Sequence, residues 1–380
     1  MIASEQRFVT THAGSLPRPR ALAALHGRRS KGEHVDETEL RTAVEAATAA
    51  AIAAQVDAGI DIGNDGEQAR ESFFTYVQHR MTGFGGSSER ALFRDLREHP
   101  DYVELLAPRY ARVQVDLMAA PAALAEIRYP DAREVESECA LVADAPFAET
   151  FMTAASPGIV CAAMENRHYA TRAEYVRAVA DALRVEYRYI ADRGLLLQVD
   201  APDLAMERHT MFADRPLDDF LGWVALVIDN INHALNGISR ERVRLHVCWG
   251  NYEGPHTHDV ELREILPLLY RADVGALVVS MANARHAHEY ACFARAPLPD
   301  GMLLVAGVID TTSNYVEHPD AVADRLVRIA AAVGDPRRVI AGTDCGFDTS
   351  AGLGDVAPSL VWEKLRALRA GADRATAAVF

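Results

Sequence analysis

The sequence predicts an α/β protein built as a closed (β/α)8 barrel. Three observations lead there. Eight short runs rich in Val, Ile and Leu each end in small or polar residues, and longer segments with helical spacing lie between most of them. No G-x-G-x-x-G follows the first run, which disfavours an open dinucleotide-binding sheet.

In chain order the runs are RFVTTH (7–12), GIDIGND (59–65), ETFMTAAS (149–156), LLLQVDAP (195–202), VRLHVC (243–248), ALVVSMA (276–282), LLVAGVID (303–310) and RVIAGTDC (338–345). Their continuous apolar character suits parallel strands covered on both faces. The intervening helices include TELRTAVEAATAAAIAAQVDAG, RAEYVRAVADALRVEYRYIADRG and DAVADRLVRIAAAVG, several closed by a Gly fit for a helix C-cap. One interval breaks the rhythm: residues 73 to 148, between the second and third strands, exceed a simple crossover. The expectation is a single TIM-barrel domain over residues 1–380 with an insertion there, holding a turn at GFGGSS (83–88) and an extra strand at AALAEIRY outside the barrel count. Such a segment serves as surface decoration or as a lid over the barrel mouth.

Composition narrows the function. Of the 380 residues 49% are apolar, enough for a large core, and the formal net charge of -15 disfavours nucleic acid and anionic membranes. No run approaches a membrane span and the start MIASEQRF lacks signal-peptide character, so a cytoplasmic enzyme acting on a small molecule is expected, with a homo-oligomer admissible. Five cysteines, Cys139, Cys161, Cys248, Cys292 and Cys345, are too scattered for a disulfide framework.

In a barrel the residues just after each strand share one mouth. They read Gly14 and Ser15, Asp65 and Glu67, Ser156, Asp200, His246 and Cys248, Asn283 and Arg285, Asp310, then Asp344 and Cys345. Residues i and i+2 of a strand face one side, so His246 and Cys248 reach one point, and Cys345 is placed to add a third ligand. Imidazole and thiolate suit Zn²⁺, and three protein ligands leave a coordination place for a substrate thiol. The alternative for an isolated H-x-C is packing. Cys139, Cys161 and Cys292 fall in or beside helices and loops and are read as packing residues. His256, His258, His286 and His288 are read as solvated or capping residues rather than a second metal site.

At this point the motifs carry a resemblance. TTHAGSLPRP, NDGEQAR, LQVDAP, HVC and GTDCG resemble, in order, the strand-end motifs of the cobalamin-independent methionine synthase family, in its catalytic C-terminal barrel. The resemblance implies His246, Cys248 and Cys345 as zinc ligands, with Ser15, Glu67 and Asp200 binding the amino-acid part of a homocysteine-like thiol. Two departures stand out. Ser280 occupies the place of the family's ligand glutamate, and Thr312, in GVIDTTS, that of its catalytic histidine, although Asp310 is kept. HVCWGNYEGPH and GVIDTTSNYVEHP look more like epoxyalkane:coenzyme M transferase, in which a zinc-activated thiol opens an epoxide, and Trp249, Asn251 and Tyr252 then become pocket residues. The expected function is a zinc-dependent thiol alkyltransferase with Asp310 and Thr312 at the catalytic position, the partners being a thiol and an alkyl donor or an epoxide. A metal-free lyase resembling the uroporphyrinogen decarboxylase group is the further alternative, disfavoured by an acidic mouth.

Overall fold

Seven of the eight expected runs form strands of one parallel sheet. In the computed structural model, which describes residues 1–110, 114, 115, 117, 118 and 120–380 (109 and 110 by backbone alone), nine strands are assigned. They are β1 (Ile62–Gly63), β2 (Thr82–Gly85), β3 (Ala122–Arg128), β4 (Glu149–Ala155), β5 (Leu196–Asp200), β6 (Val243–Val247), β7 (Ala276–Val279), β8 (Leu303–Ile309) and β9 (Val339–Thr343). The parallel sheet runs β1-β4-β5-β6-β7-β8-β9, with helices such as Arg172–Asp192, Leu217–Leu235 and Pro319–Val333 in the crossovers. The sheet curls: Val9, Ile62, Phe151, Val278, Val305 and Ile340, drawn from both ends of that order, belong to one buried apolar cluster. A larger cluster packs the opposite strand faces against the helices, as both-face burial of a parallel sheet requires.

The first run, RFVTTH, differs from expectation. It makes single parallel bridges, Thr10 to Ala341 of β9 and Thr11 to Ile62 of β1, instead of a continuous strand. Side chains compete for its backbone donors. The amides of Phe8, Val9 and Thr10 donate to Thr376 Oγ1, Ser4 Oγ and Asp61 Oδ2 at 3.0, 3.0 and 2.9 Å, leaving few for a ladder.

Between Gly63 and Glu149 the chain forms a separate two-stranded antiparallel sheet, β2 with β3, and the helices Val77–Arg80, Arg94–Glu98, Pro100–Tyr110 and Arg133–Leu141. The AALAEIR run thus lies outside the parallel sheet. GFGGSS is not wholly a turn, because Gly83 to Gly85 belong to β2. A buried ionic cluster ties this region to the strands. Arg70 and Arg80 both pair with Glu138, Arg80 Nη1 lies 3.1 Å from Glu186 Oε2, and the Tyr76 ring lies 4.3 and 4.4 Å from the two guanidinium carbons. Burying these charges is tolerable because each meets several partners. Arg70 Nη1 also donates to the backbone oxygen of Thr153 on β4 at 2.9 Å.

Candidate metal centre and its surroundings

β6 places Arg244 and His246 on one face, and Cys248 follows two residues on. The chain turns after β9 so that Cys345 comes up beside them. One ligand atom from each of His246, Cys248 and Cys345 lies within 4.8 Å of the others, all three residues are buried, and the two sulfurs are 4.0 Å apart. The pairing of two thiols lowers the Cys248 thiol to about 7, helped by His246, whereas the same contact and burial push Cys345 well up.

Strand register explains how His246 is held. Asp200 and His246 are direct partners across β5 and β6, and His246 Nδ1 lies 2.9 Å from Asp200 Oδ1. Gln198, two residues before on the same face, donates to the same oxygen at 2.7 Å. Burial works to lower the His246 pKa, but the bond to Asp200 and the neighbouring Cys248 outweigh it and the net direction is up. With Nδ1 engaged, Nε2 is buried without a formed hydrogen bond. An orphaned ring nitrogen beside two buried thiols is a donor set that fits a zinc-type ion.

Ser15 and Glu67 stand at the same end of the sheet. Gly346, next to Cys345, packs on Ser15: a Cβ built there would lie 2.1 Å from Ser15 Oγ, and the Phe347 amide donates to the Ser15 carbonyl at 2.8 Å. Glu67 adopts a left-handed φ of 57°, held by its own amide donating to Asp65 Oδ1 at 2.9 Å and by Arg18 Nη2 donating to its carbonyl at 2.8 Å. Its Oε1 accepts from Thr153 Oγ1 at 3.1 Å, and its buried Oε2 has no hydrogen-bond partner. Burial, with the Asp200 charge, pushes its carboxyl up to about 8.

The other expected site residues are hydrogen-bonded within or between neighbouring loops. Trp249 is buried with Nε1 donating to the Val260 carbonyl at 2.7 Å and its ring stacked 3.8 Å from that of His286, so it supports a loop. Asn251 links loops, donating to the Gly346 carbonyl at 2.9 Å and accepting from Thr311 Oγ1 at 2.8 Å. Thr312 donates through both its amide and its hydroxyl to Asp310 Oδ1, at 3.0 and 2.9 Å. Despite burial, Ser313 and Thr312 together hold the Asp310 carboxyl below its usual range. Ser280 does not face the sulfurs as a free hydroxyl; it donates to the Asp344 carbonyl at 2.7 Å. The Asp344 carboxylate in turn accepts the amides of Met281, Ala282 and Asn283, each at 2.8 Å.

The reading of the histidines needs correction. His256 and His286 are not solvated; both lie against Asp259, which the sequence reading passed over together with His209 and Gln198. Asp259 lies three residues from His256 in the same connection, whereas His286 and His209 reach it from two other loops, so local spacing shows only the first of these contacts. His288 is exposed, and His258 pairs with Glu98 at 2.5 Å. Cys139, Cys161 and Cys292 lie in the helices Arg133–Leu141, Pro157–Ala163 and Cys292–Arg295, away from the thiol pair.

Comparison with known proteins agrees with this geometry. The family model described as cobalamin-independent synthase, catalytic domain, matches residues 8–99 and 116–360. A B12-independent methionine synthase from a Shewanella species, solved with selenomethionine, superposes with a TM-score of 0.73 at 20% identity, covering 97% of each chain. A putative vitamin-B12 independent methionine synthase from Listeria monocytogenes gives 0.63 at 17% identity over 98% of this chain and 99% of that one. These two likenesses establish a TIM-barrel-like fold. The 2-hydroxypropyl-CoM lyase of Xanthobacter autotrophicus is 25% identical over 211 residues, which are 49% of this chain and 52% of the relative, so the match spans about half of its length. The chain belongs to the cobalamin-independent synthase catalytic-domain family.

Proposed function

We propose that the protein is a zinc-dependent thiol alkyltransferase of the methionine-synthase type. The observation that carries this is the unpartnered His246 Nε2 beside the Cys248 and Cys345 thiols, with Nδ1 fixed by Asp200. His246, Cys248 and Cys345 would hold the ion. Zinc supplies there a positive charge that lowers a bound thiol's pKa and keeps it as thiolate at neutral pH. Gln198, Asp200 and the strand register orient the imidazole.

The remaining groups bind and orient substrate. Glu67 Oε2 and Ser15 are assigned to the polar end of the thiol substrate, where a substrate ammonium would give the orphaned carboxylate oxygen its partner and favour its ionised form. Asp200 acts chiefly through His246 and contributes its charge to the same cavity. Asp310 and Thr312 are assigned to the face where the electrophile approaches. Residues 7–12 serve as the eighth stave of a closed (β/α)8 barrel, and the chain is one domain with residues 73 to 148 as its insertion, a reading supported by the Thr10 and Thr11 bridges.

Thr312 bears on the alkyl donor. A threonine hydroxyl already donated to Asp310 is a poor general acid, so a donor whose leaving group requires protonation has no histidine here to supply it. That, with the likeness to 2-hydroxypropyl-CoM lyase, gives a second reading in which the electrophile is an epoxide. Purified protein incubated with homocysteine and methyl donors, and separately with thiols and short epoxides, tests both by mass spectrometry of thioether products. Thioether in the first panel supports methyl transfer and in the second epoxide opening; no thiol consumption in either contradicts the proposal.

A further inference from the structure

We propose a second metal site, formed by His256, Asp259 and His286 with His209 as an additional donor, that takes a divalent transition ion of the zinc or cobalt class. It stands apart from the thiol centre in its ligands. One donor atom each from His256, Asp259 and His286 lies within 4.8 Å of the others. The residues come from three successive connections: His209 after β5, His256 and Asp259 after β6, and His286 after β7. They therefore gather at the same end of the parallel sheet as the thiol pair, and the loop leaving Cys248 contributes to both groups.

The hydrogen bonding argues for an ion. His256 Nδ1 and His286 Nε2 both meet one oxygen of Asp259, Oδ2, at 2.9 and 2.8 Å. The opposite nitrogen of each ring is held by another oxygen: His256 Nε2 lies 3.0 Å from the Tyr252 carbonyl and His286 Nδ1 3.4 Å from Glu289 Oε1. Backing of this kind orients metal-ligating histidines and fixes their tautomers. Without a metal both rings must carry two protons to fill these contacts, two imidazoliums held by the Asp259 and Glu289 carboxylates. A divalent ion replaces both inward protons and leaves neutral ligands.

His209 is the independent observation. Its side chain is 0% exposed, stacked on Phe93 at 4.9 Å, and neither ring nitrogen has a hydrogen-bond partner. Its Nδ1 points at Asp259 Oδ1, 3.4 Å away, which is itself buried and unpartnered. A buried imidazole and a carboxylate oxygen both lacking partners, face to face, are costly unless something joins them. Buried Asp95, bonded to Tyr252 Oη at 2.6 Å and to the His256 amide at 2.8 Å, adds negative charge beside the group. Imidazole nitrogens exclude magnesium and calcium as preferred occupants and favour the zinc class.

Titration of chelator-stripped full-length protein with Co²⁺ tests this. Thiolate-to-cobalt charge-transfer absorption reports the cysteine centre and should saturate at about one equivalent, while ligand-field bands continue to grow to about two. Asp259→Asn should lose the second step and keep the charge-transfer band; His286→Gln, checked for fold by circular dichroism, should do the same. Ligand-field growth without charge transfer would support this site and reject the thiol centre, so the two readings fail separately. Bands that stop at the thiolate step in the wild type, or a second step unchanged in Asp259→Asn, would overturn the proposal in favour of a hydrogen-bonded cluster filled by water.

Discussion

Asp200 Oδ1 accepts from His246 Nδ1 at 2.9 Å across adjacent strands, and this leaves the other imidazole nitrogen as the one that faces Cys248 and Cys345. Asp200→Asn keeps the side chain's shape and removes its charge. Zinc affinity, measured by competition with a chromophoric chelator, is expected to fall about 10- to 100-fold with the ligands intact. Unchanged affinity would mean that Asp200 serves substrate alone.

Gly14 makes room for the Glu67 carboxylate. A Cβ at position 14 would lie 2.6 Å from Glu67 Oε1 and 2.8 Å from Thr153 Cγ2, on a backbone whose φ of 130° disfavours any side chain. Gly14→Ala is expected to destabilise the fold by roughly 1–3 kcal/mol in chemical denaturation. It should also raise KM for the thiol more than it lowers kcat, because Glu67 must move. Wild-type values for both would remove Glu67 from the substrate's binding site.

Glu67 also sets a pH dependence in the metal-free protein. Its folded-state pKa, raised from 4.5 to about 8 by burial and Asp200, exceeds that of the unfolded chain. Between those limits the folded state keeps a proton that the unfolded state has lost, so rising pH favours unfolding. The stability attributable to protonated Glu67 is present below the lower limit and is lost as pH rises through the upper one. Urea midpoints across this window should fall more steeply in wild type than in Glu67→Gln; parallel profiles would refute the assignment.

Ser280 stands where the resemblance puts a glutamate ligand, yet its hydroxyl donates to the Asp344 carbonyl. Ser280→Ala should therefore keep its full zinc content while losing about 1 kcal/mol of stability. Loss of zinc in this variant would make the serine oxygen a ligand.

Much of the sheet was readable because both-face burial writes parallel strands as apolar runs, and seven such runs are strands in the sheet. The His246, Cys248 and Cys345 group was readable for a related reason: strand ends share one side of such a sheet, so residues far apart in sequence could be grouped before any distance was known. The failures have local causes. RFVTTH has strand composition, but side chains of Ser4, Asp61 and Thr376 take its amides. Trp249 and Asn251 follow the ligand strand directly, and their contacts to His286, Val260 and Gly346 come from loops that no local spacing relates to them. His256 and His286, expected as solvated or capping residues, share Asp259 as a partner only where the connections after β6 and β7 meet.

The most direct test is the zinc content of purified protein beside that of Cys345→Ala, by mass spectrometry under identical purification. The account predicts that the variant carries about one zinc fewer per chain than wild type, because Cys345 completes the site begun by His246 and Cys248 across 97 residues of sequence. Equal zinc content in the two proteins, or none in either after reconstitution, would contradict it and leave the pair of thiols as packing at a strand end.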